Sequence, residues 1–160
     1  MQVAIDERNH VEAVAGSAKR MVLVAPVTAV VAATVNGDAV MGLGSFREVH
    51  VQLVLTDAKA AAGDTLSVYI DTSYDGGLTW INAARFATIL GNGADAIASL
   101  ILLSPSAAPG TVPIDMTGDA ASGVVRPGLF GDELRARYVV VDGGAHGQSF
   151  TFSINALAKF

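Results

Sequence analysis

The chain has 160 residues, of which 51% are hydrophobic and 16% are charged, and its formal net charge at pH 7 is −5. This length favours a single domain with a sizeable hydrophobic core. The acidic balance argues against direct binding to nucleic acid, where a basic face supplies most of the affinity. The sequence contains no cysteine, so no disulfide framework is predicted.

The low charge content bears on how the surface is used. Soluble domains carry about 25% charged residues, whereas this chain carries 16%. Either the surface is rich in small residues such as Ala, Gly, Ser and Thr, or part of it is buried against partners. Large apolar patches are uncommon on monomers, which favours burial against partners. Homo-oligomerisation or lattice assembly is the simplest form of such a partnership.

The beginning of the chain differs from the rest. Asp6 and Glu7 stand where a signal peptide needs positive charge followed by an apolar run. Residues 1–20 show no clear period, so we expect an N-terminal arm or short helix ahead of one β-sandwich domain over residues 21–160. The most apolar stretch, residues 21–35, is short and interrupted by Pro26, so we expect no membrane span.

The first strands are predicted directly after the arm. Residues 21–25 and 28–35 are rich in Val and Thr, which suit the pleated surface of a strand. The Asn36-Gly37 pair follows, and such a pair between apolar runs predicts a type I′ hairpin turn with positive φ at both residues. The second strand of that hairpin is expected at residues 38–43.

Two further segments alternate apolar and polar side chains with the period of two that predicts half-buried strands. The first covers residues 47–56 and the second residues 65–72, with one helical turn predicted between them near residues 58–62. The outward side chains of the second are expected to be Ser67, Tyr69 and Asp71. The inward side chains of both are predicted to be Val49, Val51, Leu53, Leu55, Leu66, Val68 and Ile70.

The second half of the chain continues with short segments separated by turns rich in Gly, Asn, Asp and Pro. Residues 117–131 are predicted to form a long surface loop. Strands are predicted at residues 78–90, 96–103, 111–116, 134–141 and 149–156. About eight to ten short strands without a long helix indicate an all-β fold, and the pattern favours a β-sandwich of jelly-roll type.

The sharpest motif is SYDGGLTW, in which Ser73, Asp75, Gly77, Thr79 and Trp80 match the pattern S-x-D-x-G-x-T-W. These eight residues resemble the Asp-box hairpin found in sialidases and many other β proteins. The Asp75 carboxylate is expected to accept hydrogen bonds from backbone N–H groups of the turn. The Trp80 ring is expected to pack against the hairpin base, so Trp80→Ala is predicted to lower the free energy of unfolding by about 3–5 kcal/mol.

The resemblance admits two interpretations, sugar recognition or a self-stabilised hairpin. In sialidases the box recurs once per propeller blade and lies away from the active site. Here it occurs once, and 160 residues cannot build a six-bladed propeller. We therefore interpret residues 73–80 as a structural hairpin and not as a catalytic or sugar-binding site.

No other motif predicts chemistry. Residues 91–96, GNGADA, resemble a dinucleotide-binding turn but lack the flanking strand and long helix. Three histidines lie too far apart for metal-ligand spacing: His10, His50 and His146. Three aspartates in or beside the long loop lack EF-hand spacing: Asp115, Asp119 and Asp132. We predict no catalytic residues, no cofactor and no metal, and hence no enzyme.

A wider resemblance rests on the order of segments GDTLSVYIDTSYDGGLTW, ARFATILGNG, a Pro/Gly/Ala loop, GDELRARYVVVDG and SFTFSINALAKF. In this order, residues 47–160 resemble small virion proteins of tailed bacteriophages, of the head-decoration (cement) kind. The resemblance implies a β-sandwich that clamps capsid subunits, often as a trimer.

The expected function follows from that resemblance. It implies a capsid decoration protein that binds the major capsid protein lattice at the phage head surface after synthesis in the host cytoplasm. No nucleic acid and no membrane are expected among its partners. Two alternatives stay open: a carbohydrate-binding or adhesin-like β-sandwich, and a structural component of the phage tail or neck.

Overall fold

The protein is represented by a computed structural model that describes residues 18–30, 33–58, 63–104, 117–144 and 149–160. These ranges contain nine strands and no helix, so the all-β prediction is confirmed. Among them there is accordingly no helix of the length and apolarity needed to cross a bilayer. The strands are β1 Lys19–Val30, β2 Ala33–Asn36, β3 Glu48–Ala58, β4 Thr65–Ser73, β5 Ile81–Arg85, β6 Ile89–Leu90, β7 Ala96–Leu103, β8 Glu133–Val141 and β9 Ser149–Lys159.

The strands form two antiparallel sheets. The first sheet has the order β1-β9-β3-β7. The second has the order β2-β8-β4-β5, and β6 also pairs with β4. One hydrophobic core contains buried side chains from both sheets, so the β-sandwich prediction is confirmed. The jelly-roll connection stays a prediction.

The core follows from the period-two alternation of the long strands. On β3 the four side chains predicted to face inward are all buried, and the intervening ones are not. On β8 the same pattern buries Leu134, Ala136, Tyr138 and Val140. The Tyr138 ring meets Phe152 of the other sheet edge-to-face, with ring centroids 5.0 Å apart. Each such large apolar side chain contributes roughly 1.5–3 kcal/mol by its burial.

The predicted hairpin turn at Asn36-Gly37 is wrong. Neither residue takes a positive φ. The chain instead continues beside β8: the Gly37 N–H donates to the Ala136 carbonyl at 2.7 Å, and Val40 exchanges two hydrogen bonds with Leu134. The glycine is required here for a different reason, because two backbones approach each other closely at this position.

On β4, Leu66, Val68 and Ile70 face the core as predicted, but the outward side chains are not exposed. Ser67, Tyr69 and Asp71 are buried, and so is every residue of β4 after Thr65. The reason is that three arginines of β5 and β8 lie against these side chains, namely Arg85, Arg135 and Arg137. The loop at residues 119–120 is hydrogen-bonded to Arg137 and Asn82 on the same face, and residues 124–126 pair with the edge of β5. The predicted surface loop is therefore irregular, as expected, but it covers a sheet face.

The segment predicted as one strand over residues 78–90 is interrupted. It forms β5 and β6, and between them the Phe86 N–H donates to the Val68 carbonyl at 3.0 Å. The strand predicted at residues 96–103 is confirmed as β7, and the final strand extends three residues beyond its predicted end, to Lys159.

Several predictions fall outside the described residues. They are most of the N-terminal arm, the helical turn after Ala58, the strand at residues 111–116, and the side chains of His10, Asp115 and His146. Where the structure begins, at residue 18, the chain enters β1 almost at once, at Lys19.

The close approach at Gly37 gives a test of the corrected fold. A Cβ there would lie 2.5 Å from the Leu23 carbonyl oxygen, so Gly37→Ala forces the two backbones apart. We expect it to lower the free energy of unfolding by about 1–3 kcal/mol in urea titration. Gly118→Ala is the matched control, since a Cβ at Gly118 meets nothing within 4 Å. Equal stability of the two variants would contradict the packing described at Gly37.

Candidate functional site

The hairpin loop between β4 and β5 is held by two side chains. The Ser73 hydroxyl accepts from the Gly77 N–H at 2.9 Å and donates to Asp75 Oδ1 at 2.8 Å. Asp75 Oδ1 also accepts from the Thr79 N–H at 2.8 Å. Four of the five residues singled out in the motif therefore meet in one hydrogen-bonded loop.

Backbone geometry and charge complete this loop. Gly76 and Gly77 take φ values of 73° and 81°, a region that side chains disfavour. The hydrogen bond from the Thr79 backbone is the main cause that lowers the pKa of Asp75 below its ordinary value, with help from the Thr79 and Ser73 side chains. The Asp75 carboxylate is therefore engaged in hydrogen bonds within its own turn.

The fifth motif residue, Trp80, places its ring against the hairpin loop, 3.5 Å from where a Cβ at Gly77 would stand. Its ring is only half-buried and lies outside the hydrophobic core. The Arg135 guanidinium of β8 covers it, 4.2 Å from the ring centroid. The ring thus joins the hairpin to the outer face of the second sheet through a cation–π contact.

The strands at the hairpin base also hold the segment that leads into β8. The Thr72 hydroxyl donates to the Glu133 carbonyl at 2.8 Å and accepts from the Gly131 N–H at 2.8 Å. The Tyr74 hydroxyl accepts from the Phe130 N–H at 3.0 Å. These contacts give the hairpin a role in fixing a loop that is distant in sequence.

A buried polar cluster lies beside the hairpin, on the outer face of the second sheet. Its centre is the Asp71 carboxylate, with the residue 3% exposed. One carboxylate oxygen accepts from Asn82 Nδ2 at 2.9 Å. The other accepts from Arg137 Nε at 3.2 Å and lies 3.5 Å from Arg135 Nε. The cluster joins three neighbouring strands.

Two arginines of this cluster enclose an aromatic ring. Arg137 and Arg85 lie 4.1 Å and 5.0 Å from the centroid of the Tyr69 ring. Burial alone would lower the pKa of Arg137, but Asp71 and Asp119 outweigh it and raise the pKa above its ordinary value. The guanidinium therefore stays charged and fixed between its two carboxylates.

The covering loop is attached to the same cluster. Asn82 Oδ1 accepts from the Ala120 N–H at 2.8 Å. Arg126 donates to the Asn82 carbonyl at 3.1 Å and to the Gly118 carbonyl at 2.6 Å. Most polar groups of this cluster are directed at one another and at the loop, so the cluster explains a covered sheet face. Arg85 Nε and Arg135 Nε are buried there without a hydrogen-bond partner among the described residues.

In the described ranges, no three His, Asp or Glu side chains lie close enough together to hold a metal ion. Asp119 and Asp132, two of the aspartates considered for calcium, are separately engaged. Asp119 pairs with Arg137, and Asp132 Oδ1 accepts from the Gly44 N–H at 2.9 Å.

The first sheet presents a different outer face, which we call the open face. Residues 38–41 border it beside β1. Four of its large apolar side chains are 45–71% exposed: Val22, Ile97, Ile101 and Leu103. Pairing across the four strands places all its members on one side of the sheet. They are Arg20, Val22, Glu48, His50, Gln52, Val54, Ile97, Ser99, Ile101, Leu103, Ser153, Asn155, Leu157 and Lys159.

A cavity of about 860 Å³ opens beside β1 on this face. Gln52, Ser99 and Asn155 form part of its floor, and residues 38–41 form a wall. The Lys19 ammonium supports that wall by donating to the Met41 carbonyl at 2.8 Å. Burial lowers the pKa of Lys19, and nearby Asp132 opposes the shift.

Three polar side chains meet at the end of the open face. His50 Nε2 is 2.9 Å from Glu48 Oε1, and Lys159 Nζ is 3.4 Å from the same oxygen. The hydrogen bond to His50 is the main cause that lowers the pKa of Glu48. All three side chains are about one-third exposed, so this is a surface ion-pair group of small energetic weight.

No protein-family model and no curated protein sequence matches the chain. The fold is similar to a chain in the structure of infectious bursal disease virus, Gx strain, with TM-score 0.55 and 10% identity over 100% of this chain. A chain from the Gt strain of that virus gives TM-score 0.49 and 12% identity over 99% of this chain. The chain spans 37% of the length of each neighbour, and at such identity the likeness shows the fold alone.

Sequence reasoning located the hairpin but missed the polar cluster. A signal was present, because Arg135 and Arg137 alternate with the buried residues of β8. Their meeting with Asp71 depends on the pairing of β4 with β8, which no local pattern reveals. For the open face, the low charge content predicted only that some part of the surface is buried against partners.

The lowered pKa of Asp75 predicts a pH-dependent effect. Because the folded-state pKa lies below the ordinary value of about 3.9, the charged turn stabilises the fold above that pH and loses this contribution as the pH falls through the folded-state value. We expect Asp75→Asn to lower the urea midpoint at pH 7, and the gap from the unsubstituted protein to narrow near pH 3. Asp95→Asn, at an exposed turn position, is the control and should change little at either pH.

The position of Trp80 predicts a smaller cost than the sequence suggested. Because the ring is half-buried, Trp80→Ala is expected to lower the free energy of unfolding by about 1–2 kcal/mol, through lost stacking with Arg135 and partial burial. Phe152→Ala, at a core position 1% exposed, should cost about 3–5 kcal/mol. Equal losses in chemical denaturation would place Trp80 in the core and contradict this assignment.

Proposed function

We propose that the chain is a non-enzymatic virion structural protein, a decoration or cement protein that binds the major capsid protein lattice of a phage head. The observation that carries the proposal is the contrast between the two outer faces of the sandwich. One is covered by the protein's own loop, and the other exposes apolar side chains to solvent.

The covered face argues against a catalytic or ligand-binding role. Its charged side chains, Asp71, Arg137 and Asp119, neutralise one another. An enzyme site needs titratable groups directed at a cleft, together with donors left free for the reacting atoms. The cluster on the second sheet has its groups directed inward, which fits a structural part.

The open face has the composition of an interaction surface. Val22 is 56% exposed and Ile97 is 71% exposed, and between them the sheet presents the amides of Gln52 and Asn155. Apolar side chains with interspersed hydrogen-bonding groups are typical of non-obligate protein interfaces. Burial of this face against a capsid subunit would also account for a domain with only 16% charged residues.

The fold similarity supports a virion setting. The structure with TM-score 0.55 is that of a virus particle, infectious bursal disease virus, and its similar chain is longer than this one. A sandwich of this kind is therefore compatible with service in a virion. The proposed location is the phage head surface, after synthesis in the host cytoplasm, with no nucleic acid or membrane among the partners.

Self-association is part of the proposal. The resemblance to head-decoration proteins favours a trimer, which stays an expectation. A phage tail or neck position and a carbohydrate-binding module are the competing functions. The open face carries no Trp, Tyr or Phe side chain, the groups on which sugar rings usually stack, so it offers no support for the carbohydrate alternative.

Binding to heads tests the proposal directly. The purified chain is mixed with empty heads assembled from the major capsid protein of the same genome and then co-sedimented. We expect saturable binding that Val22→Lys weakens roughly tenfold or more, because a charge would be buried in an apolar contact. Leu78→Lys, at a hairpin position 86% exposed and away from the open face, is the control and should bind normally.

The competing functions give different results in the same series. Failure to co-sediment with heads at any ratio, together with binding to purified tails, would replace the head position by a tail or neck position. Failure with both particles, together with specific hits on a glycan array, would favour the carbohydrate-binding module.

A further inference from the structure

We propose that β7 pairs antiparallel with β7 of a second copy of this chain, so that two four-stranded sheets join across a two-fold axis. The contact deepens the proposed function, because it names a surface of self-association, a two-fold pair in place of the trimer that the resemblance favours. It rests on that function for its place in the virion.

Among the described strands, β7 is outermost in its sheet and its far edge is unpaired. It pairs with β3 from Ala96 to Leu103 without a register shift, and no other described strand pairs with it. Its far side therefore presents a straight row of backbone donors and acceptors, the template on which another strand can be added.

This edge lacks the devices by which proteins usually protect such strands. Its sequence, AIASLILL, contains no charge, no proline and no glycine. The opposite edge strand of the same sheet, β1, carries Lys19, Arg20 and Pro26, and two register shifts interrupt its pairing with β9. Charges, proline and bulges are the features that block strand addition.

The edge strands of the second sheet are short, which protects them against the addition of another strand. β2 is four residues long, and on the other side β5 and β6 are short and separated. Among the described edge strands, β7 alone is both long and unprotected. In a solution of this protein, the edge strand that can pair with β7 is therefore β7 of another copy.

The side chains of β7 suit such a pairing. On the open face Ile97 is 71% exposed, Ile101 is 45% exposed and Ser99 lies between them. In a two-fold antiparallel pair centred on Ser99, Ile97 of each copy stands opposite Ile101 of the other. Apolar residues directly opposite each other stabilise a strand pair, whereas like charges there destabilise it.

The size of the contact sets its strength. A strand of this length is about 27 Å long and a sheet is about 10 Å thick, so the edge contact covers roughly 270 Å² per copy. Stable pairs bury about 800 Å² per partner. The free dimer is therefore weak and reversible, and it gains strength when a lattice holds two copies close together.

The experiment is a sedimentation series on the full chain. The weight-average mass of the unsubstituted protein should rise from 16.3 kDa towards twice that value between about 10 µM and about 1 mM, where so small a contact dissociates. Ser99→Lys and Ser99→Glu should each stay monomeric, because like charges would meet across the axis. An equimolar mixture of the two variants should associate again, because the charges are then opposite.

Three results would overturn the inference. They are a strict monomer at about 1 mM, a trimer whose mass Ser99→Lys leaves unchanged, and a mixture of the two charged variants that stays monomeric. Leu78→Lys is the control and should dimerise like the unsubstituted protein, and thermal unfolding should show all variants folded. Head binding is measured separately, so a chain that dimerises without binding heads refutes the proposed function and keeps the β7 contact.

Discussion

The buried carboxylate of Asp71 is the constraint on which the arrangement of the second sheet depends. A charge at this depth is tolerated only when opposite charges and hydrogen bonds surround it. Asp71 draws Arg137 and Arg135 from β8 and Asn82 from β5, so it fixes three strands side by side. Asn82 in turn holds the loop over the sheet, and the face is closed as a consequence.

The Ser73–Trp80 motif is connected to that cluster. Its polar half, Ser73 and Asp75, completes a turn by itself. Its aromatic half reaches across to β8, where Trp80 lies under Arg135, a guanidinium that also faces Asp71. The motif therefore joins a local turn to a long-range electrostatic arrangement.

Local patterns predicted those parts of the fold whose cause is local. The period-two alternation of β3 and β8 identified their buried faces, because a strand with one dry face must alternate. The same rule assigned the two faces of β4 but missed the burial of its outer face, because arginines of β5 and β8 and a loop that is distant in sequence lie against it. The dipeptide Asn36-Gly37 misled for a related reason: the demand for glycine comes from the Leu23 backbone and not from a turn. For the same reason the polar cluster and the open face escaped prediction.

The difference between the two outer faces of the sandwich bears on the low charge content of the chain. Four of the ten basic residues in the chain lie on the covered face, namely Arg85, Arg126, Arg135 and Arg137. Their charges and hydrogen bonds serve internal contacts, and few charges remain for the first sheet. That sheet keeps a short ion-pair group at one end and leaves its uncharged edge, β7, and its apolar side chains in solvent. A face closed by the protein's own side chains and an apolar face left in solvent together form the distribution that the proposed assembly through one side requires.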